Sequence, residues 1–301
     1  MAKKLLLEVF CLMASIGIAI GLIEWRYSSY ITPVDQLMQH YEKKKPTAEY
    51  LFLGNSHILP IVSMLDSSAE KARYASFAYG GMDLFWSAVL LEKRIHELPR
   101  LQTIILGLDE EMLGYNQTYF KQEYANRAFY RYTDTIYEPT PSEILLAKSN
   151  FFRANRNPAF IFTGKSDVEL KDMLKAVAPV ITPKNCKQRA HEISVFRFYD
   201  GLIEENTKLL TIIIEECAKA NKKLLIVTLP KTACYLSFRN KEAVALGHHI
   251  IDSLVKRYSA KWVDFSIQQQ PDSFFRDADH LNYAGSAFLW EKIKNELIIA
   301  D

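Results

Sequence analysis

Residues 50–57, Tyr-Leu-Phe-Leu-Gly-Asn-Ser-His, join a short apolar run to an abrupt polar turn. Four apolar residues with an aromatic start have the composition of a buried β-strand. The apolar stretch that follows, residues 58–65, can form a helix. A strand, a tight turn and a helix in this order place the turn at the carboxyl edge of a parallel sheet, where open α/β proteins bind their ligands.

The same pattern recurs along the chain, because further apolar runs alternate with helix-forming segments. The predicted strands are residues 50–53, 75–79, 103–109, 223–230 and 262–266, and the later predicted helices are residues 82–98, 200–220, 241–258 and 283–298. Alternation of this kind favours parallel pairing through right-handed crossovers. The sequence therefore predicts an α/β fold with a mostly parallel five-stranded sheet.

Residues from about 110 to 200 interrupt this alternation. The stretch carries two helix-like pieces, 142–152 and 166–178, and many aromatic residues: Tyr115, Tyr119, Phe120, Tyr124, Phe129, Tyr130, Tyr132 and Tyr137. We interpret it as a mainly helical insertion over the functional edge, a lid or a platform whose rings stack on sugars. The alternative is a local aromatic core of the insertion itself.

The amino terminus predicts a membrane segment. Two lysines, Lys3 and Lys4, precede an apolar run from Leu5 to Ile23. About twenty apolar residues span a bilayer, and flanking lysines favour a cytoplasmic amino terminus. The alternative is a cleavable signal peptide, because Ala19-Ile20-Gly21 resembles a small-x-small cleavage site.

We therefore predict a protein that is anchored by one helix and has its catalytic domain on the extracytoplasmic side, periplasmic or extracellular. The predicted parts are a transmembrane signal-anchor over residues 1–25, a linker over residues 26–47, and one domain over residues 48–301 with the insertion at about 110–200.

Composition excludes several classes of function. The chain has 301 residues, of which 49% are hydrophobic and 24% charged, and its formal net charge is +2. Such a composition is globular and gives no support for nucleic acid binding. The cysteines Cys11, Cys186, Cys217 and Cys234 have no zinc-ligand spacing, and no dinucleotide or Walker motif is present. We expect no metal and no cofactor, and we favour buried thiols over a single disulfide.

Ser56, in the polar turn, can be a nucleophile only if a base reaches it. The candidate base is His280, in the segment Asp277-Ala-Asp-His-Leu-Asn-Tyr-Ala-Gly. Asp277 lies three residues earlier and can accept from the imidazole while the other ring nitrogen faces Ser56. Asp279 competes for this orienting role. Because a lone turn serine is usually a helix cap, the hypothesis needs the Ser56 hydroxyl and the His280 imidazole within about 3–4 Å.

Gly-Asn-Ser after the first strand and Asp-x-x-His-Leu-Asn before the last helix together resemble the SGNH/GDSL hydrolase superfamily. Within it, the chain is similar to membrane-anchored members that act on acyl groups of cell-envelope polymers and polysaccharides. The resemblance covers residues 48–110 and 200–300 and not the insertion. It implies a flavodoxin-like, three-layer α/β/α sandwich.

The resemblance also implies the roles of individual residues. Ser56 falls on the nucleophile of the superfamily, and Asp277 and His280 fall on its acid and base. A glycine after the second strand contributes its amide to the oxyanion hole, and this position matches Gly81, with Gly80 as the alternative.

Two departures from the family pattern concern this oxyanion hole. The first motif reads Gly-Asn-Ser in place of the commoner Gly-Asp-Ser, and the third strand runs into Asp109 where the family has an asparagine donor. An ionised carboxylate has no proton to donate. The replacement donor is then the side chain of Asn55 or His57, or the Ser56 amide at the helix start. Asn55 and Asp109 complete the set of candidate oxyanion- or substrate-binding residues.

These residues predict a serine esterase or O-acyltransferase, with acetyl as the expected group, acting on an acylated glycan or envelope polymer. A membrane acyl-donor protein is a candidate partner, in addition to the membrane itself. The alternative is a non-catalytic glycan-binding or scaffold protein of an envelope polysaccharide assembly system, motivated by the missing asparagine and the aromatic insertion.

Overall fold

The computed structural model describes residues 2–117, 124–154 and 181–298. The chain divides into two compact units, residues 1–36 with 123–176 and residues 37–122 with 177–301. The helix predicted over residues 166–178 lies outside the described residues, as do Tyr119 and Phe120.

Helices occur throughout the described ranges. In chain order they are α1 (Ala2–Ser28), α2 (Pro33–Lys44), α3 (Leu59–Asp66), α4 (Leu84–Arg94), α5 (Tyr124–Thr133), α6 (Pro141–Lys148), α7 (Asn150–Ala154), α8 (Pro183–His191), α9 (Ile203–Lys219), α10 (Ala233–Leu236), α11 (Lys241–Tyr258) and α12 (Tyr283–Ile298). Short helical turns cover Ile95–Glu97, Glu110–Gly114, Glu192–Phe196, Asp200–Leu202 and Asp272–Phe274.

A five-stranded sheet is the centre of the second unit. Its strands are β1 (Tyr50–Gly54), β2 (Tyr74–Ser76), β3 (Thr103–Gly107), β4 (Lys223–Thr228) and β5 (Lys261–Asp264). They lie in the order β2-β1-β3-β4-β5, and every neighbouring pair is parallel. The predicted five-stranded parallel α/β fold is confirmed.

Helices cover both faces of this sheet. On one face Phe52, Ile105 and Val227 are buried in a single apolar cluster with side chains of α3 and α12. Helices α4, α9 and α11 pack against β1, β4 and β5 on the other face. Residues of a strand alternate between faces, so strands covered on both sides are apolar over most of their length, as β1 and β3 are. The result is the expected three-layer α/β/α sandwich.

Several helix boundaries differ from the predicted ones for local reasons. The helix predicted over residues 82–98 begins at Leu84, because the Asp83 carboxylate caps it by accepting from the Trp86 amide at 2.9 Å. The helix predicted over residues 142–152 is interrupted at Ser149, whose backbone is extended. The helices predicted over about 241–258 and over 283–298 are confirmed.

The first unit contains the amino-terminal helix. Helix α1 has 27 residues, none of them buried. It is long and apolar enough to cross a membrane, and a signal sequence at the same place would meet the same criteria. Its carboxyl end is joined to the insertion, because Glu24 accepts from the Asn150 amide at 2.6 Å and from the Ser149 hydroxyl.

Aromatic residues of the insertion that lie in this first unit form part of its own interior. Phe129 and Tyr137 are buried, and the Phe151 ring meets Tyr27 of α1 edge-on at 5.2 Å between centroids. For these residues the structure favours the local aromatic core over the sugar-stacking platform.

One cysteine expectation is wrong. Cys186 of α8 and Cys234 of α10 form a disulfide, with their Cα atoms 5.9 Å apart, whereas Cys217 is a buried thiol. The two helices pack side by side in a small cluster with Ala190 and Tyr235. A separation of 48 residues along the chain gave no indication of that proximity.

Candidate active site

The turn after β1 has a shape that glycine makes attainable. Gly54 has φ = +123°, a conformation that other residues rarely adopt, and a Cβ atom there would lie 2.5 Å from the Gly107 carbonyl oxygen. The turn next to it is closed by Asn55, whose side-chain oxygen accepts from the His57 amide at 2.9 Å. Ser56 is thereby placed at the carboxyl edge of the sheet.

A second loop at this edge runs from Phe275 to Leu281 and carries the predicted base. The backbones of these two residues form an antiparallel bridge, and the Arg276 amide donates to the His280 carbonyl at 2.8 Å. Asn282 fixes the start of α12 by accepting from the Gly285 amide at 3.0 Å. These bonds hold the loop in one shape.

Ser56, His280 and Asp277 lie in one chain of hydrogen bonds. The Ser56 Oγ atom is 2.9 Å from Nε2 of His280, and Nδ1 of His280 is 2.9 Å from Oδ1 of Asp277. In the tautomer with its proton on Nδ1, His280 donates to Asp277 and accepts from Ser56. The separation meets the distance criterion for a nucleophile and its base.

Asp277 is held as a charged acceptor. Its Oδ1 atom also accepts from the backbone amides of His280 at 2.8 Å and Asp279 at 3.2 Å. Burial disfavours the charge of this carboxyl group, but the hydrogen bond from His280, the charge of that imidazole and the Asp279 amide together outweigh burial and lower the pKa of Asp277 below its ordinary value.

A second buried histidine lies beside this chain, with its ring centroid 4.8 Å from that of His280. His57 has a carboxylate at each nitrogen: Nδ1 is hydrogen-bonded to Asp109, and Nε2 is 3.0 Å from Oδ2 of Asp279. The arrangement requires a proton on both nitrogens. The His57 side chain is therefore not a free donor for an oxyanion.

Two cations complete this buried network. The Lys231 ammonium donates to Asp109, and Nε of Arg189 donates to Oδ2 of Asp279 at 2.8 Å. Positive and negative groups thus alternate in the order Lys231, Asp109, His57, Asp279, Arg189. We call these five residues the ionic chain.

The pKa values of His57 and Asp109 follow from this alternation. Burial opposes the charge of His57, but Asp109 and Asp279 outweigh it and raise its pKa to about 9. Burial likewise opposes the charge of Asp109, yet His57 and Lys231 hold its pKa well below the ordinary value. The His57 imidazole is consequently charged at neutral pH, and Asp109 carries no proton to donate.

Three donors among the described residues remain for an oxyanion beside Ser56. The amides of Ser56 and Gly81 have no acceptor within the described part of the chain, and Gly81 is held at φ = +76° in a turn closed by the Met82 amide and Tyr79. The Asn55 side-chain nitrogen contacts only the Met112 sulfur, at 3.4 Å. Gly80 is exposed and does not line the cleft over Ser56.

The walls of this cleft come from residues within the predicted insertion range that belong to the α/β unit. They include Met112, Tyr115, Arg189, Ile193 and Arg197. The loop that carries Met112 and Tyr115 is held by the Asn206 side-chain amide, which donates to three of its backbone carbonyls. An apolar wall and two arginines therefore face the same cleft.

Within the described ranges, His57, Asp279 and His280 form a group whose ligand atoms lie close enough together to hold a metal ion, within 4.8 Å of one another. The charge balance opposes a cation there. His57 carries its own positive charge, and Arg189 already neutralises Asp279. These side chains are better described as ion pairs than as ligands.

Sequence reasoning missed Lys231 and Arg189 and left Asp279 as a competitor only. A usable indication was present for Lys231, because it follows β4 as Ser56 follows β1 and Asp109 follows β3. Polar residues after parallel strands meet at one edge. Arg189 comes from a helix whose position no sequence period indicated.

No family model and no curated protein matches the chain. Similar solved structures include a GDSL-like lipase from Bacteroides thetaiotaomicron, with 11% identity, a TM-score of 0.45, and coverage of 91% of this chain and 98% of that one. An acetyl xylan esterase has 13% identity, a TM-score of 0.40, and coverage of 82% and 98%.

A catalytic mutant of an acetylxylan esterase from Geobacillus stearothermophilus has 11% identity, a TM-score of 0.39, and coverage of 84% and 95%. At these levels of identity and TM-score, a shared activity does not follow from the matches.

Proposed function

We propose that the chain is a serine esterase or O-acyltransferase that transfers a short acyl group, with acetyl as the first candidate, from or to a glycan or cell-envelope polymer. The observation that carries this proposal is the hydrogen-bonded chain from Ser56 through His280 to Asp277, with both distances at 2.9 Å. A nucleophile, a base and an oriented acid in this order are the requirements of acyl transfer.

The reaction follows from these positions. Ser56 Oγ attacks the acyl carbonyl carbon while its proton passes to Nε2 of His280. The charge that develops on the carbonyl oxygen is stabilised by the amides of Ser56 and Gly81 and by the Asn55 side chain. The leaving alkoxide then takes the proton from His280, and water or a sugar hydroxyl resolves the acyl-enzyme by the reverse sequence.

Two features support an extracytoplasmic location. A disulfide such as Cys186–Cys234 forms and persists mainly in oxidising compartments. Helix α1 has the length and composition of a membrane anchor. Together they favour envelope polymers, which lie outside the cytoplasmic membrane, as the source of the acyl group or its acceptor.

The test uses the full-length protein in detergent with p-nitrophenyl acetate and longer-chain esters. We expect acetate to be hydrolysed fastest, and Ser56→Ala and His280→Ala each to lower kcat/KM by about 1000-fold or more. Ser63→Ala is the matched control, because Ser63 is exposed on the next helix and outside the site. Equal rates for the wild type and both site variants would refute the proposal.

A second assay separates hydrolysis from transfer. The wild type is incubated with p-nitrophenyl acetate and neutral or uronic-acid oligosaccharides, and the products are examined by mass spectrometry. Acetylated oligosaccharide that requires Ser56 identifies a transferase, whereas free acetate alone identifies an esterase.

A further inference from the structure

The ionic chain is buried except for Arg189, and none of its charges is used by the reaction above. Lys231, Asp109, His57 and Asp279 are each less than 5% exposed. Removing several charges from water is costly, and the cost is offset only when each charge has partners. The ionic chain contacts the reacting groups through one residue of theirs, His280.

The contact with His280 is made by Asp279. Its Oδ1 atom lies 3.2 Å from Nδ1 of His280, so this nitrogen faces two carboxylates, Asp279 at 3.2 Å and Asp277 at 2.9 Å. The Oδ2 atom of Asp279 is occupied separately, by Nε2 of His57 at 3.0 Å and Nε of Arg189 at 2.8 Å. Two donors on Oδ2 therefore fix the direction of Oδ1.

We propose that Asp279 and His57 are positioning residues for the base: Asp279 is a second carboxylate that holds the Nδ1 proton of His280, and His57 fixes Asp279 in place. This inference rests on the proposed acyl-transfer function. With Nδ1 protonated between two acceptors, the lone pair of Nε2 is directed at Ser56.

The charge arrangement explains why two acids are tolerated on one nitrogen. Like charges this close repel each other strongly when they are buried. His57 and Arg189 supply opposite charges on the far oxygen of Asp279, while Asp277 faces Arg276 with 3.4 Å between Oδ2 and Nε. Each carboxylate of the pair thus has its own cation.

The proton affinity of His280 should respond in opposite directions when these charges are removed. Each segment next to His280 contributes a charged group. Its own loop carries Asp277 and Asp279, and the loops after β1, β3 and β4 carry His57, Asp109 and Lys231. Helix α8 carries Arg189, which also pairs with Glu192. His57→Gln removes a positive charge, and Asp279→Asn removes a negative one.

We expect the acid limb of the pH profile of kcat/KM to move to higher pH in His57→Gln and to lower pH in Asp279→Asn, each by about one pH unit. Arg189→Gln should move it in the same direction as His57→Gln. Because Arg189 is partly exposed, this variant keeps the test available if His57→Gln fails to fold. Lys208→Gln, which removes an exposed charge on α9, is the control and should leave the limb unchanged.

The same protonation is measured without turnover by nuclear magnetic resonance of the full-length chain labelled at histidine Cε1, with His280→Ala to assign the signal. Opposite shifts of the midpoint in His57→Gln and Asp279→Asn support the inference. Coincident midpoints in wild type and all variants overturn it, even if activity falls. Opposite shifts in a chain with neither esterase nor acyltransferase activity would refute the proposed function and leave the positioning arrangement standing.

Discussion

Two histidines lie side by side at the carboxyl edge of the sheet and have different chemical environments. His280 has a hydroxyl at one nitrogen and carboxylates at the other, whereas His57 has carboxylates at both. An imidazole between acids keeps two protons, because either loss takes one hydrogen-bond donor and a positive charge away from a buried carboxylate. An imidazole facing a hydroxyl can take up and release one. The partner at the second nitrogen decides which histidine is suited to move a proton.

The two assemblies also differ in how they are stabilised. Ser56, His280 and Asp277 line or adjoin a cleft, so water and substrate can exchange with them. Four members of the ionic chain are almost fully buried, although His57, Asp109 and Arg189 also border the cleft, and each charge depends on its neighbour in the chain. We therefore expect substitutions in the first assembly to affect activity and those in the second to affect stability first.

Of the substitutions that test this comparison, we expect the one at Lys231 to lower the free energy of unfolding most. Lys231→Met removes one cation from Asp109 and leaves a buried carboxylate with His57 as its remaining charged partner. Breaking a buried ion pair on one side costs about 3–5 kcal/mol, so chemical denaturation should show a loss of this size. Lys208→Met, at an exposed position on α9, should cost less than about 1 kcal/mol. Similar losses for both variants would contradict the role of the ionic chain.

The second largest expected effect is a loss of stability at high pH that depends on His57. The pKa of His57 rises from 6.5 to about 9 on folding, which corresponds to about 3 kcal/mol because one pKa unit is about 1.4 kcal/mol. A raised pKa means that this stability is fully present below pH 6.5 and lost as pH rises through about 9. The wild type should lose it over this interval, whereas His57→Gln should not. Parallel curves for the two proteins would show that His57 is not charged in the fold.

Sequence patterns identified the sheet because strand composition is local, and a resemblance to known motifs indicated the three residues of the hydrogen-bonded chain. Ser56 and His280 were recognised as a pair by their order and place on the α/β pattern. The ionic chain was not recognised, since it joins residues from four separate loops and a helix. The disulfide was missed for the same reason: the packing of α8 against α10 brings Cys186 to Cys234, and no period in the sequence records it.

Asn55 lies between the two assemblies and gives the smallest predicted effect. Its oxygen accepts from the His57 amide, and its nitrogen is directed to the Met112 sulfur at the cleft wall. Asn55→Asp keeps an acceptor for the amide and removes the donor. If the Asn55 side chain donates to the oxyanion, kcat should fall by about 100-fold, with little change in the melting temperature.

Asn55→Ala separates the two roles of this side chain. It removes both the acceptor and the donor, so it should lose activity as Asn55→Asp does and also lower stability by about 1 kcal/mol through the lost turn bond. Full activity in Asn55→Asp would show that the backbone amides of Ser56 and Gly81 suffice for the oxyanion. In that case the Asn55 side chain would serve the turn after β1 alone.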